Sequence, residues 1–221
     1  MTFSNEWNER YQENTHLSIF PWSDLVSLVM RNASSLKKSF RVLEIGCGAG
    51  ANIPLFMHLE ADYYAIEGSS HIVEKLKLQY PQLKGKILAG DFTQPLPFEG
   101  PFQLIIDRGA LTHNATAAIL STIKRLYDLL DVNGKFIGVD WFSTEHSEYP
   151  KGLPEEDIYT RSHFTKGQFA KLGRVHFSDV QHLKDLFKIF HIEYLAHKIK
   201  KQLIPDQSFT LATWDLVATK I

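Results

Sequence analysis

The sequence predicts an α/β fold, a doubly wound and mostly parallel sheet with an antiparallel strand near one edge, and three observations carry that expectation. Residues 42–50, VLEIGCGAG, read as an apolar strand running into a glycine turn. From there to Asp140, strand patterns alternate with helix patterns, which right-handed βαβ winding folds into one sheet with its strand ends along one edge. Near the C-terminus two strand patterns, about His191 to Ile199 and Phe209 to Ile221, follow each other with no helix between, and so form a hairpin.

Taken in order, residues 5–20 scatter Trp7, Tyr11, His16 and Phe20 among polar side chains, the pattern of a helix packed on the outside of a domain. Ser23 can cap the next helix, whose Leu25, Val26, Leu28 and Val29 share a face. The first strand runs from about Phe40 to Ile45. Gly46, Gly48 and Gly50 then permit backbone conformations that a Cβ forbids and let a ligand approach the main chain. A helix from about Ala51 to Leu59 tolerates Pro54 in its first turn, where the amides lack partners anyway. The third glycine of a dinucleotide fingerprint would fall at Ala51, and the Lys-Ser/Thr pair of a P-loop is missing. Glu44 suits a cationic or hydroxyl-bearing ligand better than a pyrophosphate.

The second strand, Asp62 to Glu67, ends in an acid followed by Gly68 and Ser69. Ligands of open α/β sheets sit beyond the carboxyl ends of strands, where a carboxylate accepts well from two adjacent hydroxyls. Ser69 or Ser70 starts a helix carrying Ile72, Val73 and Leu76, which stops before Pro81. Lys86 to Ala89 is the third strand, ahead of Gly90-Asp91-Phe92. A proline-rich loop leads to the fourth, Phe102 to Ile106, ending at Asp107-Arg108. Asn114 is placed to cap a helix bearing Ile119, Ile123 and Leu126, and Asn133-Gly134 turns the chain into a fifth strand, Lys135 to Asp140. The long connection 141–177 is rich in aromatics and histidines, and the capping-box spacing of Thr165 and Gln168 predicts a short helix in it. Ser178 and Gln181 repeat that spacing before Leu183, Leu186, Phe187 and Phe190, the last helix.

With 221 residues, 44% hydrophobic and 22% charged, the chain fits one ordinary soluble domain, 1–221. A formal charge of -1 gives no electrostatic case for nucleic acid, and the lysines 198, 200 and 201 read as a solvated strand edge. No apolar run is long enough for a membrane span, and the first residues have no signal-peptide core. The lone Cys47 agrees with a reducing compartment, so the cytoplasm is the expected address. Ten histidines show no zinc spacing, and no metal is expected.

Glu44-Ile45-Gly46-Cys47-Gly48-Ala49-Gly50 resembles the first motif of class I S-adenosylmethionine-dependent methyltransferases, E/D-x-G-x-G-x-G, and the resemblance extends over about Phe40 to Asp140. It implies a Rossmann-like, seven-stranded sheet and S-adenosylmethionine as cofactor. The residues it assigns to the cofactor are Glu44, Gly46, Cys47, Gly48 and Gly50; Glu67 with Gly68 and Ser69 for the ribose; Asp91 and Phe92 for adenine; and Asp107 with Arg108 near the methionine part and the substrate. It further implies an N-terminal lid over about 1–22, which stands beside the packed-helix reading of that segment. The segment 141–177 becomes a substrate-side cap, with Trp141, Tyr149, Arg161 and His163 facing the acceptor. His113 or Asp140 would remove a proton where the acceptor needs it. With no nucleic-acid module and no basic bias, the expected partner is a small molecule, such as a sugar or another polar metabolite. Two other readings stay open: a non-catalytic S-adenosylmethionine or S-adenosylhomocysteine binding module, and a nucleotide-dependent oxidoreductase, which the glycine spacing disfavours.

Overall fold

The computed structural model describes residues 18–33, 38–205 and 209–221. Trp7, Tyr11 and His16, and with them most of the expected lid, lie outside the described residues. Helix α1 spans Ser23–Ala33 and buries Leu25, Leu28 and Val29, the face its sequence pattern marks. Strand β1, Arg41–Ile45, lies inside the sheet, flanked by β2 (Asp62–Glu67) and β4 (Phe102–Arg108), both parallel to it. With β3 (Ile87–Ala89), β5 (Leu130–Phe142), β9 (His191–Lys201) and β10 (Thr210–Thr219), the order is β3-β2-β1-β4-β5-β10-β9. Strand β10 runs antiparallel to both β5 and β9. The expected seven-stranded sheet with one antiparallel strand near its edge is the one observed.

Helices cover both faces, which is why the central strands are apolar throughout rather than alternating. On one face α1, α2 (Ile53–His58) and α3 (Ser70–Gln79) pack Val29, Ile53, Phe56 and Val73 on Val42, Ile106 and Val139. On the other, α4 (Thr116–Leu129) and α5 (Val180–Leu186) set Ile119, Ile123, Leu183 and Leu186 against Leu43, Ile105, Phe136 and Trp141. A small three-stranded sheet, β6 (Leu153–Pro154), β7 (Thr160–Ser162) and β8 (Val175–His176), lies in the segment expected to be the cap, with its own core of Phe164, Phe169, Val175 and Phe177.

Several local expectations are corrected. Strand β5 continues through Phe142, so Trp141 belongs to the sheet and not to the cap. No helix forms at Thr165 to Gln168; Gly167, Lys171 and Gly173 take positive φ values of 83°, 60° and 70°, which break any helix there. Helix α5 is capped by Asp179 rather than Ser178, its carboxylate accepting from the His182 amide at 2.7 Å. Asn114 does not cap α4; Ala115 stands at that position without a side-chain bond, and Asn114 Nδ2 donates back to the Leu111 carbonyl. Among the described residues no helix is long and apolar enough to cross a membrane.

Candidate active site

The turn after β1 is built by its glycines. Gly46, Gly48 and Gly50 have φ of 67°, 51° and 81°, a region where a side chain is strained. A Cβ on Gly46 would lie 2.3 Å from Cβ of Ala110 and 3.9 Å from the Phe92 ring, so the turn is pressed between the exits of β4 and β3. Glu67 organises it from β2: Oε2 accepts the Gly48 amide at 2.8 Å and Oε1 the Ser69 amide at 3.0 Å. Burial raises the Glu67 pKa, and those amide bonds work against the rise. Ser69 Oγ caps α3 through the Ile72 amide, and Gly68 lies between the two at the strand end. Asp91 and Phe92 follow β3, half-buried, with Asp91 Oδ1 accepting from the Thr93 amide and hydroxyl at 2.9 and 2.6 Å. Cys47 is buried, and burial pushes its thiol well above the usual range, so it fills space and is no nucleophile.

Two of the four strand-end acids are placed differently from the expectation. Glu44 turns under the glycine turn toward α2, where Oε1 accepts from Asn52 Nδ2 at 2.8 Å and Oε2 from the Tyr63 hydroxyl at 2.5 Å. Asp107 turns to the opposite face, taking the Leu111 amide at 3.0 Å and the Trp141 indole N–H at 2.7 Å. Burial pushes both carboxyls up to about 7. Both are supports of the turns that flank the site, not open ligand contacts. Trp141, expected on the acceptor side, is fully buried as the partner of Asp107.

Arg108 and Asp140 meet at the ends of β4 and β5. Asp140 sits in a β-bulge: Trp141 pairs with Trp214 and Gly138 with Leu216, leaving Val139 and Asp140 opposite Asp215. Its φ is 58°, held by its amide donating to Asp215 Oδ1 at 3.1 Å. The re-aimed carboxylate meets Arg108 Nη2 at 3.1 Å and Lys198 Nζ at 2.8 Å. Both Asp140 oxygens are thus engaged by cations rather than turned toward an open acceptor, unlike the expected base. Burial lowers the Arg108 pKa, with Asp140 opposing it. Burial also works to lower Lys198, but hydrogen bonds to Asp140, Asp215 and Asp24 outweigh it and hold the ammonium raised.

His113 lies half-buried after β4, and burial pushes its pKa down to about 4. Its Nδ1 is 3.2 Å from the Arg174 carbonyl. A carbonyl only accepts, so the proton is on Nδ1 and the basic lone pair on Nε2. Because Arg174 precedes β8, the cap fixes this tautomer. The other cap residues engage one another: Arg161 Nη2 donates to the Tyr149 hydroxyl at 2.7 Å, and exposed His163 stands 3.3 Å from Glu155. Lys198, expected on a solvated strand edge, instead pairs with Asp24, Asp140 and Asp215, while the Trp22 ring 3.6 Å over the Arg108 guanidinium and the position of Asp215 depend on where α1 begins and on strand register, which the sequence does not show.

Residues 42–134 match a family model described as a methyltransferase domain. The fold is similar to that of an S-adenosylmethionine-dependent methyltransferase from Methanosarcina mazei, with TM-score 0.68 and 14% identity over 91% of this chain and 99% of that one. It is also similar to the N-methyltransferase NodS from Bradyrhizobium japonicum, solved with S-adenosyl-L-homocysteine, at TM-score 0.66, 13% identity and 98% and 99% coverage. A magnesium protoporphyrin IX methyltransferase from Synechocystis PCC 6803 with bound SAM gives TM-score 0.57 and 15% identity, covering 90% of this chain and 77% of that one. No curated relative matches by sequence.

Proposed function

We propose that this chain, which carries a methyltransferase domain in a class I fold, transfers a methyl group from S-adenosylmethionine to a small-molecule acceptor by direct displacement. The observation that carries the reading is the turn of left-handed glycines with Glu67 and Asp91 standing beside it at the ends of β2 and β3. The residues are compatible with the cofactor: the positive φ of Gly46, Gly48 and Gly50 brings bare main chain to the rim, Glu67, whose oxygens already accept the Gly48 and Ser69 amides, would meet the ribose with its remaining lone pairs, and Asp91 with the Phe92 amide would meet adenine. Bound there, the cofactor supplies a methyl group on a sulfonium, its own leaving group attached. What the chain must add is alignment and dryness, which the cap's aromatic core and its contact with His113 provide.

His113 accepts the acceptor's proton at Nε2, and Asp140, paired with Arg108 and Lys198, orients rather than deprotonates. The single buried cysteine supports a cytoplasmic address. Calorimetry with S-adenosylhomocysteine tests the cofactor site: the wild type binds, and Asp91→Ala binds more weakly by about 1–3 kcal/mol. Equal affinities would remove Asp91 from the site. Labelled methyl transfer into RNA or protein, rather than metabolite pools, would overturn the acceptor class.

A further inference from the structure

The two cations at the ends of β4 and β9 are not equivalent. The Lys198 ammonium has three N–H donors and meets three carboxylates, Asp24 at 2.6 Å and Asp140 and Asp215 at 2.8 Å each, so its bonding capacity is filled. Arg108 presents five donors in a planar fork. Among the described residues its one ionic partner is Asp140, at 3.1 Å from Nη2. Its Nε is buried without a partner. The side chain is only 33% exposed, and Trp22 stacks 3.6 Å from it. A guanidinium N–H buried without a partner is costly unless an acceptor arrives, and the rest of the fork is open to one.

Where that acceptor sits follows from the sheet order. The ribose and adenine carboxylates Glu67 and Asp91 belong to β2 and β3, on one side of β1. Arg108, on β4, is drawn the other way, toward Asp140 on β5. The bulge that aims Asp140 at Arg108 fixes the fork in that direction, while Lys198 takes up the neighbouring negative charge.

We propose that Arg108 recognises an anionic substituent, a carboxylate or a phosphate, on the methyl acceptor, with Trp22 closing the face of this subsite. The inference rests on the methyl-transfer reading and narrows its acceptors to acidic small molecules. A planar fork suits both anions because it can donate two parallel bonds to their paired oxygens.

Inorganic phosphate and acetate are the probes, titrated calorimetrically into the protein with and without S-adenosylhomocysteine. Wild type binds at least one of them with millimolar affinity, and Arg108→Gln weakens that binding by about tenfold or more. Arg108→Lys recovers part of it, since a point charge replaces a fork. Trp22→Leu, which leaves the guanidinium in place, weakens it less, and serves should Arg108→Gln not fold. Affinity for S-adenosylhomocysteine stays the same in every variant.

The proposal is overturned by a wild type that binds neither anion at tens of millimolar, or by Arg108→Gln binding as wild type does, which would mean an adventitious ion only. It is equally overturned if Arg108→Gln loses S-adenosylhomocysteine, because the guanidinium would then serve the cofactor's own carboxylate. Arg108-dependent phosphate binding without any S-adenosylhomocysteine binding would leave the anion subsite standing and take down the methyl-transfer reading, so the two failures are distinct.

Discussion

Both oxygens of Asp107 are held inside the protein, one by the Leu111 amide and one by the Trp141 indole. Replacing Trp141 by Phe keeps an aromatic ring in the core but removes the indole donor and some volume, leaving a buried carboxylate oxygen unanswered. The expected cost is about 1–3 kcal/mol, read from chemical denaturation, with the exit of β4 loosened. His113 offers a second test. Its pKa of about 4 leaves the imidazole neutral across the physiological range, so activity should be flat down to near that value and fall only below it. His113→Gln should lower kcat by about 100-fold while S-adenosylhomocysteine affinity is unchanged; a parallel loss of affinity would make the residue a structural one. The sequence could put Glu67 and Asp91 at the strand ends because a strand's last residue and the loop beyond it lie at the rim in any parallel sheet. It could not orient Glu44 and Asp107. Those directions depend on Tyr63 and Trp141, each of which reaches its acid only through strand pairing.

Among the elements, the glycine turn is the least tolerant. Gly46→Ala combines a left-handed backbone, costing roughly 1–2 kcal/mol for an L-residue, with a Cβ that would sit 2.3 Å from Ala110. Overpacking of that kind adds about 1–3 kcal/mol. The variant should unfold at lower temperature and lose S-adenosylhomocysteine binding in calorimetry; retention of full affinity would show that the turn does not hold the cofactor. The parallel core was legible because its periodicity is local and its glycines are punctuation. The cap was not. The spacing of Thr165 and Gln168 is a local helix signal, but the chain there wraps Phe164 and Phe169 around Phe177, and that packing overrides it.

At the scale of the whole molecule, the cap meets the sheet domain through backbone bonds such as Thr144 to Ser178 and Ser147 to Thr210, and through buried histidines. His176 Nε2 on β8 meets His182 Nε2 on α5 at 3.0 Å, so one ring must donate and the other accept. Tyr159 stacks on His182 at 3.6 Å, and Asp157, Asp179 and Asp185 are the acids around the pair. Burial pushes His176 down to about 3 and His146 to about 4, and lowers His182. A depressed folded-state pKa contributes stability that is complete above the unfolded value of about 6.5 and disappears as pH falls through 4 to 3. The carboxyls Glu44 and Asp107, raised to about 7, contribute in the opposite sense, lost as pH rises through 7, and they lie under the central sheet. Acidification should therefore release the cap before the sheet. Hydrogen exchange in 153–176 is expected to accelerate between about pH 6 and 4 while β1 and β4 stay protected. Uniform acceleration would mean that cap and sheet open as one unit.

The division of labour along the rim has a consequence for how such a protein diversifies. In the proposed reading the cofactor half is β1 to β4 with their turns, which from Val42 on lies within 42–134, the stretch that matches the methyltransferase family model, whereas the bulge at Asp140, the cap and the β9–β10 hairpin all come later in the chain. A late insertion or a changed hairpin can redirect the enzyme toward a new acceptor without disturbing the engine that drives it, as a lathe accepts a different chuck on the same spindle.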